Sequence, residues 1–290
     1  MTPQSDYKAY RWQRFALATP GEWEMLQFAR SAEAGRCSWA DRYAFRLEMH
    51  WRLVQGPPDW ERMFKDYTSR LVSQGEEMVT PHCQHGAWRG LATRQSGLLI
   101  QRYGCYVAPR QCLVEMVFLG MAPEDDEVKS VLDSFQAEEI RNGCERWTAF
   151  GLDARVAAGR CLAECRIEPA RAQMRFAAGD EEEVYERLGL VAHWLAEPLA
   201  AWHRRRIPTF CDLACEREEE EAGHRIHILR GQRRRPGALG RWRSRLNYES
   251  LAWRCAADGR IYRQAIASAE AREFAARRLA CCAALGWREK

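Results

Sequence analysis

The sequence predicts an α+β protein made of two similar units, each an antiparallel sheet packed with helices. Two observations carry the fold class. Residues 43–51 alternate apolar and polar side chains, which indicates a strand with one buried face. Residues 60–71 place apolar side chains at helical spacing, so a helix follows that strand. A third observation, the Asn142-Gly143 turn signal, marks where this order of elements restarts.

The first predicted unit, residues 1–142, begins with strands between residues 10 and 56. Gly56-Pro57-Pro58 ends these strands, and Asp59 stands near the start of the predicted helix. Gly75 closes that helix. The sequence then predicts a polar loop at residues 76–86 and three strands at 87–93, 98–107 and 111–119. A second helix is predicted to begin at the acidic cluster 124–127.

The second predicted unit, residues 143–290, repeats this order with different residues. Strands are predicted at 161–167 and 171–177, and a long helix at 182–203, where apolar residues recur at helical spacing. Three more strands follow, and Ser268 is expected to cap a final Ala-rich helix. The later strands are at residues 224–229, 251–256 and 260–267.

Three short sequence echoes favour an internal duplication. Each pairs a segment of the first half with one of the second, at offsets that disagree with one another. Some echoes must then be coincidental, or the halves differ by insertions. The pairs are Trp12, Phe15 and Leu17 with Trp147, Phe150 and Leu152; Ala34–Cys37 with Ala158–Cys161; and Ala87–Arg89 with Ala252–Arg254.

Composition sets the broad class of the protein. The chain has 290 residues, is 47% hydrophobic and contains 12 Trp, which is enough for a large core. The N-terminal residues lack the apolar core of a signal peptide, and no apolar run is long enough to span a membrane. We therefore expect a cytoplasmic protein whose 12 Cys are reduced thiols. A net charge of +4 indicates no global attraction to nucleic acid.

The order of elements in the first half resembles the Mog1/PsbP-like superfamily. The features that carry the resemblance are a short strand, a turn containing Pro20, Gly21 and Trp23, and the strands ending at Tyr43–Trp51, followed by a helix, three strands and a helix. It covers residues 10–140 and, more weakly, 146–285. The resemblance implies antiparallel sheets flanked by helices, and a binding or assembly factor more than an enzyme.

Two clusters carry side chains that could bind a metal ion. His82, Cys83 and His85 are of suitable types, but their spacing fits no standard zinc module, and Cys211 and Cys215 would complete a site only by chance proximity. His224 and His227 are three apart on a predicted strand, so their side chains should point to opposite faces. The sequence thus predicts no metal site and no cofactor.

The strongest candidate binding residues are basic. Eight arginines lie between residues 225 and 245 with no acidic residue among them, and Trp242 adds an aromatic ring. Arginine forks bind phosphate and aromatic rings stack on bases, which suggests an anion or nucleic-acid site. The alternative is a solvated hairpin neutralised by the acidic run 216–221. The candidate binding residues are Arg233, Arg234, Arg235 and Trp242.

The tryptophans of the first half suggest either a core or a partner surface. Alternation places most of Trp12, Trp51, Trp60 and Trp88 on inward faces, so we expect these to be core. Trp23 and Trp39 adjoin turn-like or polar residues, and these two are the surface candidates.

No nucleophile elbow, phosphate-binding loop or dinucleotide fingerprint is present in the sequence, so no catalytic residue is predicted. The favoured function is a non-enzymatic binding or scaffold protein whose partner is another protein. One alternative is a polyanion or nucleic-acid binder using residues 225–245. Another is an enzyme with a site between the two halves.

Overall fold

Strands dominate the computed structural model of the chain, which describes residues 7–122, 125–234, 245–270 and 277–286. Of these residues, 56% are in strands and 14% in helices. The predicted α+β class is therefore wrong, because the fold is predominantly β. The chain divides into two units between Glu138 and Glu139. Among the described helices, none has the length and apolar character needed to cross a membrane.

The described part of the first unit contains ten strands, two α-helices and a short 3-10 turn at Ala108–Arg110. The helices are α1 (Trp60–Ser73) and α2 (Asp126–Ser134). The strands are β1 (Tyr7–Trp12), β2 (Phe15–Pro20), β3 (Glu24–Phe28), β4 (Ala34–Ala40), β5 (Phe45–Leu53), β6 (Glu77–His85), β7 (Trp88–Gln95), β8 (Leu98–Val107), β9 (Cys112–Leu119) and β10 (Gln136–Ala137).

Seven strands of the first unit form one antiparallel sheet in the order β3-β4-β5-β9-β8-β7-β6. Strand β2 pairs with both β1 and β10. One face of the seven-stranded sheet is apolar: Met49 opposes Met116, which opposes Tyr103 on the next strand. All three side chains are buried, so this face is the core of the unit.

The described part of the second unit also contains ten strands, with two short helices, α3 (Val191–Trp194) and α4 (Leu199–Arg204). Its strands are β11 (Cys144–Ala149), β12 (Leu152–Ala157), β13 (Cys161–Glu168), β14 (Arg171–Ala178), β15 (Glu181–Leu188), β16 (Cys211–Glu221), β17 (His224–Arg233), β18 (Leu246–Arg254), β19 (Ile261–Ser268) and β20 (Leu279–Ala280).

The two units have the same strand order. The seven-stranded sheet of the second unit runs β13-β14-β15-β19-β18-β17-β16, and β12 pairs with both β11 and β20. One sequence echo follows this correspondence, because Trp12 and Trp147 lie on β1 and β11, and Leu17 and Leu152 on β2 and β12. The other two echoes do not. Ala34 opens the second strand of its sheet whereas Cys161 opens the first, and Trp88 and Trp253 lie on strands in different positions. Common ancestry of the units stays a prediction.

The long helix predicted at 182–203 is wrong, because most of its first half is strand β15. Two buried residues of this strand, which point to opposite faces of the sheet, are the carboxylates Glu183 and Glu186, 0% and 2% exposed. Glu183 pairs with Arg160 and Arg278, and Glu186 pairs with Arg263 and Arg171. Buried ion pairs therefore hide the alternation, and the remaining apolar residues happen to recur at helical spacing.

Exposed strands account for two more differences from the expected fold. The predicted polar loop 76–86 is largely β6, and the acidic run 216–221 belongs to β16; each is an outermost strand of its seven-stranded sheet. Outermost strands have one unpaired edge and carry polar residues, which resemble loops in sequence. The predicted final helix is wrong at Leu279 and Ala280, which form β20, and its residues 271–276 lie outside the described residues.

Candidate functional site

A groove in the first unit lies between helix α1 and the polar face of the seven-stranded sheet. Strand register places His50, Glu115, Gly104 and Arg89 side by side across β5, β9, β8 and β7 on this face. They alternate with the core residues of the same strands. Helix α1 covers this row only in part and leaves a cavity of about 700 Å³, a size typical of ligand sites.

Helix α1 forms where the sequence predicts it. The carboxylate of Asp59 accepts a hydrogen bond from the backbone N–H of Arg62 at 3.1 Å and caps the first turn. The helical spacing then directs Trp60, Met63, Phe64 and Tyr67 into the groove. These side chains are half-buried and not fully enclosed by protein, so the helix presents an aromatic wall to the cavity.

Two glycines allow tryptophan rings to approach the sheet closely. A Cβ at Gly104 would lie 3.1 Å from the ring of Trp60, and one at Gly35 would lie 2.4 Å from the ring of Trp51. The first contact is tight and the second impossible without movement. Gly35 pairs with Trp51 on the core side of the sheet, so the absence of a side chain at Gly104 is what sets the depth of the groove.

Three of the arginines that line the groove lack acidic partners among the described residues. Arg70 stacks over Tyr67 at 4.8 Å from its ring centroid, and Arg89 lies 5.5 Å from the centroid of Trp60. Arg52 also lines the cavity. None of these three arginines forms an ion pair with any residue that the structure describes. Their positive charge remains available to a ligand.

A network of buried polar groups fixes the floor of the groove. Tyr67 donates a hydrogen bond to Glu115 at 2.7 Å. Burial, with the adjacent Glu115 carboxylate, raises the pKa of Tyr67, so this hydroxyl stays protonated. Arg102 pairs with Glu76 at 2.9 Å and donates to Thr93 at 2.7 Å. These groups satisfy one another and hold the floor rigid.

In the second unit, side chains occupy much of the face under α3 and α4, beside a cavity of about 290 Å³ that is smaller than the groove of the first unit. His203 of α4 lies 2.9 Å from His227 of β17 and 2.7 Å from Ser250 of β18. Trp202 packs beside His203 among apolar side chains. Burial, together with the charges of Arg263 and His227, lowers the pKa of His203 to about 2, so this imidazole is neutral.

This histidine pair continues to a carboxylate, since Glu216 accepts from the Nε2 of His227 at 2.8 Å. Ser250, His203, His227 and Glu216 thus form a chain resembling the hydrogen-bonded relay of a serine nucleophile. However, Ser250 and His203 are both 0% exposed. A nucleophile must reach its substrate, so we interpret this chain as a structural network.

The described arginines of the 225–245 segment have carboxylate neighbours. Arg233 pairs with Glu182, and Arg234 lies 3.9 Å from Asp212. Arg230 and Arg245 contact Glu249 and Asp212 at 2.5 and 2.9 Å. Arg235 and Trp242 lie outside the described residues. Anion binding by this segment stays a prediction. The ion pairs of its described arginines fit the alternative interpretation, a solvated hairpin neutralised by acidic side chains.

The predicted histidine candidates are separated in the structure. His85 pairs with Asp133 at 2.6 Å, and His82 lies against the ring of Phe64. His224 and His227 lie on opposite faces of β17, as predicted, but both are buried.

Trp12, Trp51 and Trp88 are buried as predicted, but three other tryptophans differ from their predicted roles. Trp23 and Trp39, the two surface candidates, are 2% and 0% exposed and belong to the core. Trp60, expected in the core, lines the groove instead. The sequence did not identify Arg70 and Arg89 as functional candidates. The three-residue spacing in a helix could have predicted that Arg70 lies beside Tyr67. No sequence signal could have paired Arg89 with Trp60, because that contact depends on where α1 lies over β7.

Comparison with known proteins assigns no family. No family model matches the chain, and no curated protein matches it significantly. Among solved structures, the apo form of TplEi, a T6SS immunity protein from Pseudomonas aeruginosa, shares 10% identity at a TM-score of 0.33, covering 93% of this chain and 90% of that one. A Bacteroides thetaiotaomicron protein shares 10% identity at a TM-score of 0.29. That alignment covers 47% of this chain and 50% of the other. Membership of the Mog1/PsbP-like superfamily stays a prediction.

Proposed function

We propose that this chain is a non-enzymatic binding protein whose groove in the first unit receives an acidic segment of another protein. The observation that carries the proposal is the set of three groove arginines, Arg52, Arg70 and Arg89, which lack carboxylate partners among the described residues. Two of them, Arg70 and Arg89, also lie beside aromatic rings. Carboxylates of a partner would complete these charges through paired hydrogen bonds.

The composition of the groove favours a protein partner. Arginine, tryptophan and tyrosine are the residues that dominate binding energy at protein interfaces. Here each ring has an arginine beside it: Arg89 of β7 lies next to Trp60, and Arg70 lies next to Tyr67 on α1. A segment that combines acidic and apolar side chains would satisfy both the charges and the rings.

The corresponding face of the second unit supports the assignment by contrast. There, His203 and Trp202 occupy much of the space under the helices, His227 and Ser250 have partners, and the cavity beside them is smaller, at about 290 Å³. The open groove is therefore not an automatic product of this strand order. It depends on particular residues of the first unit, above all Gly104 and the helix α1 side chains that face it.

The proposal is tested by capturing partners from a lysate of the native cell with wild-type chain and with the double variant Arg70→Glu/Arg89→Glu. Losing two hot-spot contacts should weaken binding at least about 100-fold. Wild-type binding should also weaken as salt rises. The matched control is Arg94→Glu, also on β7, since Arg94 lies 3.9 Å from Glu77 and does not line the groove.

Equal capture of the same proteins by the wild type and the double variant would refute the proposal. Capture of nucleic acid in place of protein would also contradict it and would favour the 225–245 segment. The enzyme alternative and the cytoplasmic compartment stay predictions.

A further inference from the structure

Four metal-binding side chains converge in the second unit, on the face of its seven-stranded sheet opposite His227. They are His224 at the start of β17, Cys255 directly after β18, and Cys281 and Cys282 directly after β20. Their ligand atoms all lie within 4.8 Å of one another. We propose that these residues form a structural zinc site of the Cys3His type.

Four of the six distances between the ligand atoms match those around a tetrahedral zinc ion, and the other two are within 4.8 Å. Zn–S bonds of about 2.3 Å and Zn–N bonds of about 2.0 Å imply S···S separations of about 3.8 Å and N···S separations of about 3.6 Å. The sulfurs of Cys281 and Cys282 are 3.8 Å apart. The Nε2 of His224 lies 3.4, 3.8 and 3.6 Å from the sulfurs of Cys255, Cys281 and Cys282.

Hydrogen bonding alone does not account for this arrangement. A neutral imidazole offers one lone pair, which can accept from one thiol. The Nδ1 of His224 lies 3.0 Å from the carbonyl oxygen of Ala222, which only accepts, so Nδ1 carries the proton. The lone pair of Nε2 then faces three sulfurs at once. A metal ion at their centre would bond to all four atoms, and the Ala222 contact would fix the ring for coordination.

The surroundings of the sulfurs suit thiolates. The indole N–H of the buried Trp253 donates to Cys281 at 3.2 Å. The backbone N–H groups of residues 257 and 258 lie near the sulfur of Cys255, and those of residues 284 and 285 lie near the sulfur of Cys282. Together with the indole, these groups favour negative charge on the sulfurs, as around metal-bound thiolates.

The ligand set indicates which metal and which role. Three thiolates and one imidazole in tetrahedral array select zinc over the oxygen-preferring magnesium and calcium. Four protein ligands leave no open position for substrate, which is the arrangement of structural sites. Each thiol loses its proton on binding, so loading the site should release up to three protons. Zinc would fasten residues 281 and 282 to the ends of β17 and β18.

The test begins with the unmodified full chain, purified under reducing conditions, stripped with a chelator and reloaded with zinc chloride. Mass spectrometry of metals should find about one zinc per chain, and X-ray absorption should give three sulfurs and one nitrogen around it. Variants Cys281→Ser and His224→Asn should each bind zinc at least about 100-fold more weakly. Cys215→Ser is the matched control, because Cys215 is an exposed cysteine of β16 outside the cluster.

Three results would overturn the proposal, and the first does not depend on any variant folding. The first is that the reduced wild-type chain binds no zinc. The second is that it binds zinc through oxygen or nitrogen ligands only. Finally, Cys281→Ser could retain a full equivalent with unchanged affinity, which would place the metal elsewhere. Because the site lies outside the groove of the first unit, its failure leaves the proposed partner binding untouched, and the reverse also holds.

Discussion

Replacing the buried pair Glu186 and Arg263 tests the structure of strand β15, where the sequence was most misleading. The two residues face each other across β15 and β19, and Nη1 of Arg263 lies 2.6 Å from Oε2 of Glu186. Their side chains are 2% and 9% exposed. Burial would raise the pKa of Glu186, but Arg263 and Arg171 lower it below its ordinary value, so the carboxylate is charged.

The magnitude follows from this burial. Removing one member of a buried pair leaves an uncompensated charge and costs about 3–5 kcal/mol. We expect Glu186→Leu to lose stability in this range. Arg263→Met should lie near its lower end, because Glu186 keeps Arg171 at 2.9 Å. The double variant should recover most of the loss, since an apolar replacement of both partners is often about neutral.

The assay is urea unfolding of the full chain followed by tryptophan fluorescence. The four proteins of this cycle give a coupling free energy, which we expect to exceed about 2 kcal/mol. If residues 182–203 were helical, Glu186 would lie away from the apolar stripe, where a substitution changes stability by at most about 0.5 kcal/mol. A loss below about 1 kcal/mol for Glu186→Leu would refute the buried strand.

Three further predictions address other parts of the chain. Because the pKa of His203 is low in the folded chain, the unfolded chain binds a proton below about pH 6.5 that the folded chain does not. The free energy of unfolding should therefore fall by up to about 1.4 kcal/mol per pH unit as the pH drops from 6.5 to 2. Urea titrations from pH 7 to pH 4 measure this slope, and His203→Gln should reduce it; an identical slope would contradict the assignment. Asp59→Ala should destabilise the first unit by about 1 kcal/mol, because α1 loses its cap, whereas Asp59→Ser should keep the cap and the stability. Thermal unfolding measures both variants, and equal shifts in the two would exclude a capping role. Gly104→Val should displace Trp60 and weaken partner capture while circular dichroism stays unchanged; undiminished capture would show that the groove depth is irrelevant.

The sequence predicted elements with one clear buried face. Strand β5 and helix α1 carry uninterrupted apolar patterns, and Asp59 gave the helix start. Strands β15 and β16 broke this rule in opposite ways. The first buries carboxylates whose arginine partners come from distant strands, and the second is exposed along nearly its whole length. Pairing across a sheet is not visible in local periodicity.

The sequence could not predict either candidate site, for reasons of distance along the chain. The groove combines α1 with residues of β7 and β8, and its depth depends on a glycine opposite Trp60. The four ligands of the proposed zinc site are spread over residues 224–282 and match no local spacing. Adjacent Cys281 and Cys282 suited the apolar side of a predicted helix, so they gave no signal of their own.

Photo-cross-linking inside the native cell tests the proposed binding groove most directly. A photoreactive amino acid in place of Met63, whose side chain lines the groove, should form a covalent adduct with an acidic partner protein. The same group in place of Glu61, an exposed residue of the same helix, should give no such adduct. Equal adducts from both positions, or adducts from position 61 alone, would show that partners do not occupy the groove.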